Sequence, residues 1–233
     1  MSEALLSIVE MSVHYGRREV VHGLTLELAA NQVLGVIGPN GAGKTTVLRA
    51  MVGLLTPSRG DVHVRGMPPR RAAGRVNIAY FAGDFTLPGS VRACHWGSLA
   101  TGDRITPERR RIRTLSRGTR QLLGLRTVLS RAHLALIVLD EPWEGLDQDG
   151  SRWLSRTIEA KRDRGAAVVL SSHDPNDLAG ICDAYLFLVN RRGSLFKAHE
   201  LAPAGTVTAA VLADALDRLL LMDGSSAQLR AAS

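Results

Sequence analysis

The chain has 233 residues, 45% hydrophobic and 22% charged, with a formal net charge of +7. This is globular composition, long enough for one domain with a sizeable core, and it excludes a disordered or fibrous chain. No apolar run reaches the roughly 18–20 residues that span a bilayer, and the acidic start "MSEALLSIVE" lacks the basic region of a secretory signal, so any work at a membrane is expected to need another chain as anchor.

The elements are predicted in chain order. "LLSIVEMSVHY" and "VVHGLTLEL" alternate like strands. "QVLGVIG" is a continuous apolar run ending in glycine, which predicts a buried strand of a mostly parallel sheet. "GKTTVLRAMVGLL" has helical spacing, and "SRGDVHVRG" and "RVNIAYF" predict two further strands. Residues 90–131 read as helical and hold much of the arginine. "LALIVLDEP" predicts a buried strand, "GSRWLSRTIEAKRDRG" a helix and "AAVVLSSH" another buried strand. A short helix over "PNDLAGICD", a last strand over "AYLFLVNRRG" and an amphipathic helix over "TVTAAVLADALDRLLLMDG" complete the pattern. Strands alternating with helices predict an α/β sheet, with the first strands as an antiparallel flank.

Charge is the first functional clue. Lys44, Lys161 and Lys197 are the only lysines, so 26 of the 29 basic residues are arginine. "ERRRIRTLSRGTRQ", Glu108 to Gln121, packs six arginines and one acid into fourteen residues. Such a run suits a nucleic-acid patch, an acidic partner or a solvated face. Cys94 and Cys182 have no metal spacing and read as small apolar core residues in a reducing compartment.

Three motifs carry chemistry. "GPNGAGKTT" comprises Gly38, Pro39, Asn40, Gly41, Ala42, Gly43, Lys44, Thr45 and Thr46. It fits G-x-x-x-x-G-K-[ST], with an apolar strand before it and a helix after it. Its glycines let backbone amides approach phosphate at a helix N-terminus. Lys44 is expected to reach the β- and γ-phosphates and Thr45 to donate its hydroxyl oxygen to Mg²⁺. "LIVLDEP" ends a buried strand in Asp140, the expected Mg²⁺ acid, and Glu141, placed to deprotonate a water. "VVLSSHD" delivers His173 to the same sheet edge.

These residues together resemble the ATP-binding cassette (ABC) ATPases, over residues 4–195. The resemblance implies a P-loop NTPase core: a mixed, mostly parallel sheet with helices on both faces, an antiparallel β flank at the N-terminus and a short α-helical subdomain. It implies one nucleotide-binding domain over 1–233, with a reduced signature subdomain near 84–131 and a C-terminal helix and tail over 200–233. "LSRGTRQ" resembles the family signature, so Ser116 and Gly118 are expected to face the ATP of a second subunit. "GLD" at Gly145 to Asp147 resembles the D-loop, which brings Asp147 to the nucleotide interface. Tyr15 stands where the family stacks an aromatic on adenine. The implied cofactors are ATP and Mg²⁺. The implied partners are a transmembrane permease subunit and a second copy, or a related subunit, in a head-to-tail dimer on the cytoplasmic face of the cell membrane. The compact single cassette implies an energy-coupling subunit of a transporter, with export as the expected direction.

The chain departs from the family at two places. Gly83 in "IAYFAGDF" stands where the family has a glutamine that contacts Mg²⁺ and water, with Asp84 beside it as a candidate Mg²⁺ ligand. Only 31 residues separate Gly83 from Leu115, short for the helical subdomain. Two other readings follow: a soluble ABC ATPase on nucleic acid or the ribosome, disfavoured by the single cassette, and an ATP-binding regulatory subunit with weak hydrolysis.

Overall fold

The structure, a computed structural model, describes residues 4–83, 86–101, 106 and 108–231. Two sheets share its first core. Strands β1 (Leu6–Tyr15), β2 (Arg18–Leu28) and β4 (Arg59–Val64) form an antiparallel sheet in the order β2-β1-β4. The second sheet runs β5-β6-β7-β3-β8-β9, from β5 (Ile78–Phe81), β6 (Leu136–Leu139), β7 (Ala167–Ser172), β3 (Val33–Ile37), β8 (Ala184–Val189) and β9 (Arg192–Lys197). All its pairings are parallel except the β8–β9 hairpin.

The apolar runs become central strands because both faces of the sheet are covered. β3, β6 and β7 are buried along their whole length, as expected of parallel strands between two layers. One face packs with α1 (Lys44–Met51) against the antiparallel flank. The other packs against α4 (Arg117–Leu129), α5 (Gln148–Asp163), α6 (Pro175–Leu178) and the start of α8 (Ala209–Ala231). Short helices α2 (Pro69–Ala72) and α7 (Ala198–Leu201) close two connections.

The parallel sheet brings the three motifs to one edge. β7 lies between β6 and β3, with Leu139 opposite Leu170 and Ile37 opposite Ser172. The carboxyl ends of β3, β6 and β7 therefore emerge side by side, where the phosphate loop, the acidic pair and His173 begin. This is the edge at which open α/β sheets place ligands.

Two expectations need correction. The strand over "AYLFLVNRRG" stops at Val189, and β9 returns antiparallel, pairing Val189 with Arg192. Asn190 and Arg191 both take left-handed φ, 46° and 71°, the requirement of a tight two-residue hairpin. Arginine at the second position carries none of glycine's signal. The helical reading of 90–131 holds for α4 and for a second helix, α3 (Ala93–Thr101), but gives way between them. A 3₁₀ turn covers Ile112–Thr114, and Arg92 bridges Arg111 as extended backbone. This segment is tied by backbone bonds from Cys94 to Glu108 and from Ile112 to Val91 rather than by helical periodicity. Among the described residues its own buried cluster holds Leu87, Ala93, Ile112, Leu115 and Leu123.

Candidate functional site

The phosphate loop needs its glycines for two reasons, close approach and left-handed backbone. A Cβ on Gly38 would lie 2.5 Å from the Leu188 carbonyl oxygen. Gly41 takes φ 80°, and Gly43 caps α1 with φ 102°. Non-glycine residues rarely adopt such φ values. The Ala42 amide donates to the Pro39 carbonyl at 3.1 Å, closing the turn. Pro39, Asn40 and Gly41 are exposed, whereas Lys44 and Thr46 are buried. The cradle is therefore open on its solvent side. A cleft of about 570 Å³ lies elsewhere, between α5 and α6.

Lys44 reaches back over the loop. Its Nζ donates to the Gly38 carbonyl at 2.8 Å and lies 3.2 Å from Glu141 Oε1. That carboxylate oxygen is buried and has no aligned hydrogen-bond donor among the described residues. The ammonium charge, rather than a directional bond, compensates it. Glu141 Oε2 takes the other side: it accepts from the His173 amide at 3.2 Å and meets His173 Nδ1 at 2.9 Å. Glu141 itself has φ 46°, a left-handed backbone that is costly for a residue with a side chain.

Asp140 is 4% exposed. Its Oδ2 accepts from the Thr45 hydroxyl and its Oδ1 from the Ser171 hydroxyl, each at 2.6 Å. No ion pair reaches it among the described residues. A buried carboxylate held only by neutral hydroxyls is poorly compensated. With Thr45 it presents two hard oxygens, one of them anionic, and such a donor set fits Mg²⁺.

Behind His173, the Ser172 hydroxyl donates to Asp177 Oδ2 at 2.7 Å. Burial raises the Asp177 carboxyl above its ordinary range, and the Ser172 hydrogen bond only partly opposes this. Tyr15 is half-exposed at the end of β1. The β1–β2 hairpin adjoins the phosphate loop, because a Cβ on Gly43 would lie 3.2 Å from Val20 Cγ1. On that hairpin the Glu19 carboxyl falls below its ordinary range, chiefly through its bond from His22.

Ser116 caps α4, accepting from the Thr119 amide at 3.2 Å. Gly118 packs so tightly on Gly145 that a Cβ would lie 2.2 Å from that carbonyl oxygen. Gln121 reaches the Glu141 carbonyl at 3.3 Å. Asp147 caps α5 through the Gly150 amide at 2.8 Å, so its carboxylate serves its own helix. Among the described residues no hydrogen bond joins Ser116, Gly118 or Asp147 to the phosphate loop. Gly83 sits against the acidic strand, its Cβ position 3.3 Å from the Asp140 carbonyl oxygen. Asp84 lies outside the described residues.

The basic stretch largely binds its own chain. Arg110 pairs with Glu108 at 2.9 Å, and its bonds hold that carboxyl at about 2. Arg111 donates to the Ser90 carbonyl, Arg120 to the Leu115 carbonyl, and Arg117 pairs with Glu144. Two features were missed in the sequence. One is Ser171, whose only signal is a polar residue inside the apolar run "VVLSS". The other is the Gly118–Gly145 contact, which has no local signal.

Comparison with known proteins gives a consistent answer. The family model described as ABC transporter matches residues 21–144. The chain is 36% identical over 185 residues to the zinc import ATP-binding protein ZnuC of Pseudomonas putida, covering 75% of this chain and 70% of that protein. It is 28% identical over 189 residues to the SkfA peptide export ATP-binding protein SkfE of Bacillus subtilis, covering 72% and 79%. A solved ATP-binding subunit of an ABC transporter superposes with a TM-score of 0.79 at 21% identity, covering 93% and 99%. The cbiO1 protein of Clostridium perfringens, part of the cbiONQ transporter complex, gives 0.70 at 18%, covering 87% and 92%. No helix among the described residues is long and apolar enough to cross a membrane. With this phosphate loop, this acidic strand and these relatives, the chain belongs to the ABC transporter family, as an ATP-binding and ATP-hydrolysing subunit.

Proposed function

We propose that the chain powers a separate transmembrane permease from the cytoplasmic face of the membrane, using two ATP molecules held between two head-to-tail copies. The observation that carries this reading is the single network from Lys44 through Glu141 to His173, beside the Thr45–Asp140 pair. The loop amides and Lys44 bind the β- and γ-phosphates. Thr45 and Asp140 hold Mg²⁺, which neutralises phosphate charge when bound. Glu141 takes the proton of the attacking water, and His173, against its Oε2, fixes the carboxylate's direction. Tyr15 stacks on adenine.

The dimer is supported by exposure. Ser116 and Asp147 are exposed on a single copy, and the capped N-terminus of α4 is an anion seat that the chain's own loop does not use. We assign Ser116, Gly118 and Asp147 to the partner copy's ATP. The whole chain is one nucleotide-binding domain, with 84–131 as a reduced subdomain and 200–233 as C-terminal helix and tail. Export is our inference from the compact single cassette; the relatives' names include both import and export. Asp84 remains our candidate for the Mg²⁺ contact that Gly83 cannot make.

Glu141→Gln tests the core of this reading. Turnover should fall by about 10²- to 10⁴-fold, the usual worth of a general base, while an ATP-bound dimer accumulates on gel filtration. Undiminished phosphate release would remove Glu141 from the role. A nucleic-acid reading would instead need affinity that falls steeply with salt; the intrachain pairing of the arginines argues against it.

A further inference from the structure

The geometry points to Ser171 as a positioning residue that holds the metal-binding acid and the general base in register; this rests on the roles proposed above for Asp140 and Glu141. Its single hydroxyl serves both residues. The proton goes to Asp140 Oδ1 at 2.6 Å, and a lone pair accepts the Glu141 amide at 3.0 Å. An ionised carboxylate only accepts and an amide only donates, so these directions are fixed. Ser171 is fully buried and Asp140 nearly so, which leaves no solvent to replace either bond.

Topology explains why this serine stands where it does. β7 lies between the acidic strand and the phosphate-loop strand, and Ser171 pairs with Val36 of β3. Its neighbour Leu170 pairs with Leu139 of β6, one residue before Asp140. Ser171 is therefore the polar group of the middle strand at the level of the acidic pair. Alternation along β7 sends Ser172 the other way, to Asp177.

The consequence is twofold. Asp140 Oδ1 is tied down by Ser171, so Oδ2 is the oxygen presented beside Thr45. The Glu141 amide is tied at the residue whose backbone is left-handed, φ 46°. That turn carries the Glu141 carboxylate to Lys44 and His173. Removing the hydroxyl loosens the proposed metal ligand and the turn together, because both of its bonds go to Asp140 and Glu141. Partners of metal ligands commonly matter in this way.

The test uses Ser171→Ala, Ser171→Thr and Asp140→Asn, with Val169→Ala as a control for loosening of β7. Two readouts follow Mg²⁺: half-maximal ATP turnover, and the rise in melting temperature that Mg²⁺ gives in the presence of ATP. We expect Ser171→Ala to fold and to bind ATP in EDTA like the parent. It should need on the order of 10- to 100-fold more Mg²⁺ in both readouts, and Ser171→Thr should restore the parent requirement. An unchanged Mg²⁺ requirement in Ser171→Ala, or an equal shift in Val169→Ala, overturns the proposal. If Asp140→Asn itself leaves the Mg²⁺ response intact, the Asp140 assignment has failed, and this inference with it. Should Ser171→Ala not fold, Ser171→Cys, a far weaker hydrogen-bonding group, carries the same expectation.

Discussion

Two ion pairs built from the same chemistry mark the two halves of the proposed site. Lys44–Glu141, at 3.2 Å, has side chains 7% and 17% exposed. Arg117–Glu144, on the signature side, has side chains 70% and 42% exposed. The first is held inside the sheet edge by the Gly38 carbonyl and by His173. The second lies in solvent at the start of α4. The difference teaches how the chain divides its labour. The catalytic half is buried and paired within the sheet edge; the signature half keeps its donors exposed on a cluster that, among the described residues, holds five buried hydrophobics.

The largest effect expected separates the halves directly. Lys44→Met leaves the Glu141 carboxylate without its cation. Breaking a buried pair in this way costs about 3–5 kcal/mol, here about 3 kcal/mol because Glu141 keeps His173 and some exposure. Urea denaturation should show this loss and ATP binding should vanish. A stability equal to the parent's would mean that the pair is solvated and that the contrast between the halves is false.

Gly118→Ala probes the seam between signature and D-loop. Alanine improves helix propensity over glycine by about 1 kcal/mol, so an open site would gain stability. Here the Cβ would fall 2.2 Å from the Gly145 carbonyl oxygen, and backbone must move. Overpacking of this kind costs about 1–3 kcal/mol. The net expectation is a lower melting temperature, with ATP binding to the isolated copy retained because the phosphate loop is untouched. A higher melting temperature would show that α4 can slide and that the seam is loose.

Legibility in the sequence follows the same division. The phosphate loop and acidic strand were readable because close approach, left-handed φ and buried strands each demand specific residue types at fixed spacing. Gly38, Gly43 and Asp140 are where that spacing placed them. β9 was not readable, since the Asn190–Arg191 turn uses left-handed residues without glycine. The segment around Glu108–Arg113 read as helix because sparse apolar residues among arginines give no clear period; long-range backbone bonds decide its shape. Ser171 was hidden for a third reason. A strand read by its apolar run says nothing about which neighbour a polar residue meets, and only strand order supplies Asp140.

The smallest effect expected is the most discriminating for the comparison. Arg117→Ala removes a charge pair as close as any among the described residues, yet exposed pairs contribute about 0–1 kcal/mol. A cation at the start of a helix also opposes the helix dipole, and α4 has no acid in its first turn to offset it. These two contributions have opposite signs and similar size. Stability should therefore change by less than about 1 kcal/mol, and the change should shrink further in 0.5 M salt. A loss as large as that of Lys44→Met, insensitive to salt, would mean that Arg117–Glu144 braces the α4–D-loop seam, and the signature half would then be as internally fixed as the catalytic half.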